Sequence, residues 1–190
     1  MYHMVRTTVP HGTSKNKRGS IRQGELVERV LAAFIRAGTI ELSLDQLARK
    51  VNVSKRMLVH YFGGREELEE RALTLLEDRL RAQFAPEILP AGAPLQAVLI
   101  ALWERTTAPQ AQGVLRLVMD LSRRAWNGSA RAQAFYAKQQ DLWVKLLLQF
   151  LSDRPTVEGA LQLFQGAVLA YLITGDPEPG KRALTRFVST

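Results

Sequence analysis

The sequence predicts an all-α protein, and three observations lead there. Apolar residues recur at i, i+3, i+4 and i+7 in one segment after another. Helix-capping signatures and Gly or Pro breaks separate these segments. No segment alternates apolar and polar residues over the length of a strand, and no internal repeat occurs. Cysteine is absent from the 190 residues, which excludes disulfides and cysteine metal sites. No window approaches the ~18 unbroken apolar residues of a membrane span, and no signal-peptide pattern opens the chain, so a membrane or secreted setting is not expected.

Residues 1–19 (MYHMVRTTVPHGTSKNKRG) have little apolar content and no periodicity, and are expected to form a flexible basic arm. His3 and His11 lie in it, remote from other ligand types, and are read as solvated. Ser20 and Gln23 make a capping box that would open a helix over 21–37, with Leu26, Val27, Val30, Leu31 and Phe34 inward and Gly38 as terminator. Ser43 and Gln46 make a second box for a helix over 44–50, stapled by Leu42 and Leu47; Leu44, Leu47, Ala48 and Val51 are its apolar stripe. Asn52 supplies a residue that tolerates a left-handed turn. Ser54 then caps a helix over 54–61, in which Leu58, Tyr61 and Phe62 form the buried side. Lys55, Arg56, Met57, Val59 and His60 remain on its outer side. Two short capped helices around a tight turn, the second basic at its N-terminus, have the form of a helix-turn-helix.

The charge distribution agrees. Residues 1–65 hold 12 Lys/Arg against 4 Asp/Glu, whereas residues 66–190 hold 14 of each, so the net charge of +8 sits wholly in the segment with the motif. Such confinement points to nucleic acid.

Gly63-Gly64 ends the motif, and Glu66, Glu67 and Glu69 open a longer helix over 65–84, acidic where the helix dipole is positive. Pro86, Pro90 and Pro94 make the clearest break. A helix with Leu95, Val98, Leu99, Leu102 and Trp103 follows and ends before Pro109. The next carries Val114, Leu117, Val118 and Leu121 to Asn127-Gly128; a long one from Ser129 gathers Phe135, Leu142, Trp143, Leu146, Leu147, Phe150 and Leu151. After Pro155 a helix over 157–174 is apolar on more than one stripe, more than a single chain would cover. A homodimer that buries the excess is expected, with Leu161, Phe164, Val168, Tyr171 and Leu172 as its candidate interface. A short last helix with Ala183, Leu184, Phe187 and Val188 closes the chain.

The run SLDQLARKVNVS, the pair Tyr61-Phe62, Arg65 beyond it and the following Glu-Glu-Leu resemble the DNA-binding half of a TetR-type transcriptional regulator (the TetR/AcrR family). About a third of the chain matches closely; the rest matches in length and helical rhythm. The pattern departs at Val59, where the family usually has an aromatic residue, and at Arg56, where a small residue or proline is common, so no base preference is carried over. Beyond the arm read from composition over 1–19, the resemblance implies a three-helix DNA-binding domain over 20–64 and a helical effector-binding and dimerisation domain over 65–190. It also implies a cytoplasmic setting, a double-stranded DNA operator with palindromic half-sites, and a repressor released by a small molecule.

Ser43, Ser54, Lys55, Arg56, Met57, Val59, His60, Tyr61 and Arg65 are the candidate DNA contacts. Arg56 or Lys55 suits a bidentate contact to guanine; Arg65 and Tyr61 suit phosphate. Lys15, Lys17 and Arg18 add a candidate contact to the DNA backbone or a minor groove, a plain solvated tail being the alternative. Trp103, Met119, Trp126, Phe135 and Trp143, with Arg116 or Asp120 as polar handle, are candidate lining for an apolar, aromatic effector. Ordinary core is the competing reading of the tryptophans, and a pair with Arg116 or Arg124 that of Asp120. A C-terminal half that binds a protein partner instead of a small molecule is the alternative function. An enzyme is not expected: there is no Gly-rich phosphate loop, metal-ligand cluster or catalytic residue set, and no cofactor is implied.

Overall fold

The computed structural model describes the backbone of residues 13–83 and 92–187, and side chains from 22 to 82 and from 92 to 187. Residues 1–12 of the arm, the prolines at 86 and 90, and Val188 lie outside the described residues, as do the side chains of Lys15, Lys17 and Arg18.

Nine α-helices and one 3-10 turn make up the regular structure among the described residues, with no strand. The helix α1 spans Thr13–Ala37, α2 Leu44–Lys50, α3 Lys55–Phe62, α4 Arg65–Gln83 and α5 Leu95–Thr107. After a 3-10 turn at Pro109–Ala111 come α6 (Gln112–Trp126), α7 (Ala130–Leu147), α8 (Arg154–Thr174) and α9 (Glu178–Phe187). The first helix therefore starts seven residues before the Ser20 expected to cap it. The Ser20–Gln23 capping box is not the start of α1; Gln23 Nε2 instead donates to the carbonyl of Tyr61 at 2.6 Å, tying α1 to the end of α3. At its other end α1 stops as expected: Gly38 has φ +66°, and Thr39 N–H reaches the Phe34 carbonyl at 3.3 Å.

Two apolar clusters form the core. The first joins α1–α3 (Val30, Phe34, Leu47, Leu58, Phe62) to Leu68, Ala72 and Leu76 of α4 and continues into Leu117, Leu121 and Phe135 of α6 and α7. The second packs α5 (Leu95, Leu99, Trp103) against α7, α8 and Leu184 of α9. The first cluster thus continues past residue 64, because Leu68, Ala72 and Leu76 of α4 and Leu117 and Leu121 of α6 pack with the motif bundle, while Leu115 of α6 packs against the second cluster. Close approach of α6 to α1 depends on Gly113, where a Cβ would lie 2.8 Å from Ile35 Cγ2 and 3.0 Å from its carbonyl oxygen. By length and composition alone α8 could cross a membrane, yet Val157, Ala160, Leu161 and Phe164 lie in the second core cluster.

Candidate nucleic-acid interface

The motif is held by its own caps. Ser43 Oγ accepts from Gln46 N–H at 3.2 Å while Ser43 N–H donates to Gln46 Oε1 at 2.7 Å, the reciprocal box expected. Asn52 has φ +52°, alone in that region among the described non-glycine residues, and turns the chain so that Val53 N–H meets the Ala48 carbonyl at 3.0 Å. Ser54 Oγ accepts from Met57 N–H at 3.1 Å and starts α3. Leu58 and Phe62 then go into the first core cluster, which fixes the rotation of the helix.

That rotation leaves Lys55, Arg56, Met57, Val59 and His60 exposed along one helix of eight residues. They do not stand equally free. Lys55 Nζ pairs with Asp45 Oδ2 of α2 at 2.9 Å, whereas Arg56 has no ion pair or hydrogen bond among the described residues. Met57 and Val59, 42% and 40% exposed, put apolar surface where a thymine methyl could sit. His60 meets Tyr61 edge-on at 5.3 Å between ring centroids. Tyr61 is half-buried against the first cluster.

Arg65, the expected phosphate contact, also has partners within the chain: its Nε pairs with Glu69 at 2.5 Å and its Nη2 donates to the Ile40 carbonyl at 3.0 Å. It links α4 to the α1–α2 connection. A second set of links lies beside it. Asp120 accepts from Thr39 Oγ1 at 2.8 Å, from Arg123 Nη2 at 2.8 Å and from Arg124 Nε at 3.2 Å; Arg124 also pairs with Glu41 at 2.8 Å. Asp120 is therefore committed to joining α6 to the motif bundle, and its i, i+4 partner is Arg124, not Arg116. Burial lowers the pKa of Arg124.

The seven residues expected to line an effector cavity are not gathered in one place. Trp103 is 1% exposed, donates its indole N–H to the Pro177 carbonyl at 3.2 Å, and meets Phe164 and Tyr171 edge-on at 5.8 and 6.1 Å. Trp143 also reaches Phe164, at 6.5 Å. Phe135 belongs to the other cluster, Met119 is half-buried on α6, and exposed Arg116 covers Gly38. Trp126 is 88% exposed at the end of α6 and lines nothing enclosed. A residue the sequence reading passed over is Gln139. Its amide nitrogen is buried without a hydrogen-bond partner among the described residues, on the α7 stripe that runs from Phe135 to Trp143 and Leu146. A glutamine at an apolar register position was the available signal.

The expected dimer residues are also differently placed. Leu161, Phe164, Val168 and Tyr171 are buried within the chain, and Leu172 is half-buried. What α8 leaves outside is Leu169 and Ile173, 51% and 75% exposed, beside Gly166 and Ala170. These four fall at i, i+3, i+4 and i+7, one face of the helix.

No profile of a known protein family matches the chain. The HTH-type transcriptional regulator BetI of Escherichia coli is 26% identical, over 90% of this chain and 93% of that protein. SrpR and TtgW of Pseudomonas putida, both HTH-type transcriptional regulators, are 26% identical over 87 residues, and the matches span 40% and 64% of those proteins. Among solved structures, a TetR-family transcriptional regulator from Streptomyces coelicolor superposes with a TM-score of 0.70 at 22% identity, over 90% of this chain and 80% of that one. The ketosteroid transcriptional regulator KstR2 of Mycobacterium tuberculosis superposes at 0.56 with 18% identity, over 88% of this chain and 93% of that one.

Proposed function

We propose that this chain, a TetR-type transcriptional regulator and not an enzyme, is a cytoplasmic, dimeric repressor of a palindromic operator, released by a small apolar or aromatic effector. The observation that carries the DNA-binding part is the outer side of α3: Arg56 unpaired, with Met57, Val59 and His60 exposed beside it. Two adjacent cations at the start of a solvent-facing helix do little for packing, and one of them, Lys55, is already neutralised by Asp45. Arg56 is thus the residue assigned to a guanine edge; Lys55 and Ser43 are assigned to positioning on phosphate. Tyr61 keeps a backbone-contacting role, while Arg65 acts through the placement of α4.

Dimerisation is assigned to the Gly166, Leu169, Ala170 and Ile173 face of α8. The small residues let a second helix come close, and the large ones give the apolar area that water would otherwise cover. Release follows if the effector prefers the head spacing that does not fit the two half-sites; equal affinity for both spacings would release nothing. Gln139 on α7, whose buried amide nitrogen has no hydrogen-bond partner among the described residues, is the polar handle assigned to that effector in place of Asp120.

Selection from random-sequence duplexes with the full-length protein tests the readout. The wild type should enrich an inverted repeat, and Arg56→Ala should lose preference at one base pair of each half-site at a cost of ~1–3 kcal/mol per contact. An enriched motif identical in the variant would remove Arg56 from the base contacts.

A further inference from the structure

Between the first turns of α4, the end of α6 and the start of α7 lies a cleft of about 300 Å³ that the effector reading above does not use. Its floor is apolar, with Leu73 and Leu121 of the first core cluster. Its walls are charged and of opposite sign: Glu66 and Glu69 on α4 face Arg124 and Arg131 on α6 and α7. We propose that this cleft is a binding site for a small zwitterion with an apolar body, of the size and charge of a neutral aliphatic or aromatic amino acid.

The charges that remain uncommitted carry the argument. Glu69 is satisfied by Arg65 at 2.5 Å and has Arg131 at 3.6 Å. The Glu66 carboxylate has no ion pair or hydrogen bond among the described residues. On the opposite wall Arg131 uses Nη1 for the Glu66 carbonyl at 2.9 Å, and Arg124 uses Nε for Asp120 and Nη2 for Glu41. A guanidinium has five N–H donors, so both keep capacity for a carboxylate. An ammonium at Glu66 and a carboxylate at Arg124 and Arg131 would complete both walls at once. A ligand with only one charge would pair with one wall and leave the other without its partner, which is the discrimination such a site exercises. The apolar floor takes the side chain of the ligand and adds affinity in proportion to the area covered.

The test is calorimetric titration of the full-length protein with leucine and phenylalanine, run beside isoamylamine and 4-methylpentanoate, the leucine analogues that lack the carboxylate and the ammonium. Saturable binding is expected for at least one of the two amino acids, and binding at least tenfold weaker for both analogues. Glu66→Gln and Arg131→Gln should each weaken the amino acid by tenfold or more, with the thermal transition of each unliganded variant confirming that it is folded. Gln139→Leu, in the separate effector region, should leave this binding unchanged. Absence of binding by both amino acids, equal binding of either analogue, or full binding in both cleft variants would each overturn the proposal. A loss in Gln139→Leu alone would move the amino acid to the effector region and overturn it as well.

Discussion

Gly180→Ala is a single methyl whose consequence can be worked from the packing of α9. The new Cβ would lie 2.5 Å from Trp103 Cζ2, 2.6 Å from its Cη2 and 3.1 Å from Ala167 Cβ. Carbon atoms in contact settle at roughly 3.5–4.0 Å, so the ring or the helix must move by about an ångström or more. The ring has little room: it is 1% exposed, bonded through its indole N–H to Pro177, and flanked edge-on by Phe164 and Tyr171. Overpacking of this kind costs ~1–3 kcal/mol, and a pinned ring puts the cost toward the upper end. Replacing a helical Gly by Ala returns up to about 1 kcal/mol of helix propensity. The net is a destabilisation of ~1–2 kcal/mol, which for a chain of this size lowers Tm by roughly 2–8 °C. Gly24→Ala is the matched control, since apart from the helix's own backbone nothing among the described residues lies within 4 Å of a Cβ there; it should raise Tm. Thermal unfolding followed by circular dichroism reads both. If Gly180→Ala is as stable as the wild type while Gly24→Ala gains, α9 does not dock on Trp103 as described.

Three further outcomes are expected, two from the structure and one from the sequence. Ile173→Glu or Leu169→Glu should give folded monomers with greatly weakened operator binding, whereas Leu161→Glu, at 4% exposure, should compromise folding itself; sedimentation and circular dichroism separate the cases, and a Leu169→Glu, Ile173→Glu double variant that sediments as a dimer would refute this interface. Replacing Lys15, Lys17 and Arg18 by Gln should lower the slope of log K against log salt by roughly 2–4 in the dimer without changing the preferred sequence, if each chain gives one or two phosphate contacts; an unchanged slope leaves this stretch outside the interface. The Asp153 carboxylate caps α8 by accepting from the hydroxyl and N–H of Thr156, which lowers its pKa. A depressed folded-state pKa contributes stability above the unfolded pKa that is lost as pH falls through the folded one, so as pH falls through and below the usual carboxylate range the wild type should lose more Tm than Asp153→Asn. Parallel acid profiles would contradict that assignment.

Much of the fold was legible because helix signals are local. The boxes and caps at Ser43, Gln46 and Ser54, the turn residue Asn52, and the periodic apolar positions of α1–α3 each involve residues within a few positions of one another, and each formed where expected. Local evidence also misled where two readings shared it. Ser20 and Gln23 have capping-box spacing, but α1 runs through them because helix already surrounds them, and Gln23 finds its partner 38 residues away.

The sequence by itself determined that the chain is helical, where the second helix of the motif begins and which of its residues cannot be core. It also placed the whole positive excess with that helix. Tertiary structure alone decided what each charge and each apolar stripe is used for. Lys55 meets Asp45 across the motif turn, Asp120 meets Thr39 81 residues away, and Arg65 meets Glu69 and the Ile40 carbonyl. On α8 it chose the inward stripe, leaving Leu169 and Ile173 outside while Leu161, Phe164 and Val168 went in. The physical reason is that periodicity fixes which residues share a side of a helix, whereas the side that is buried depends on which other helices arrive to cover it, and that is a property of contacts far apart in the chain.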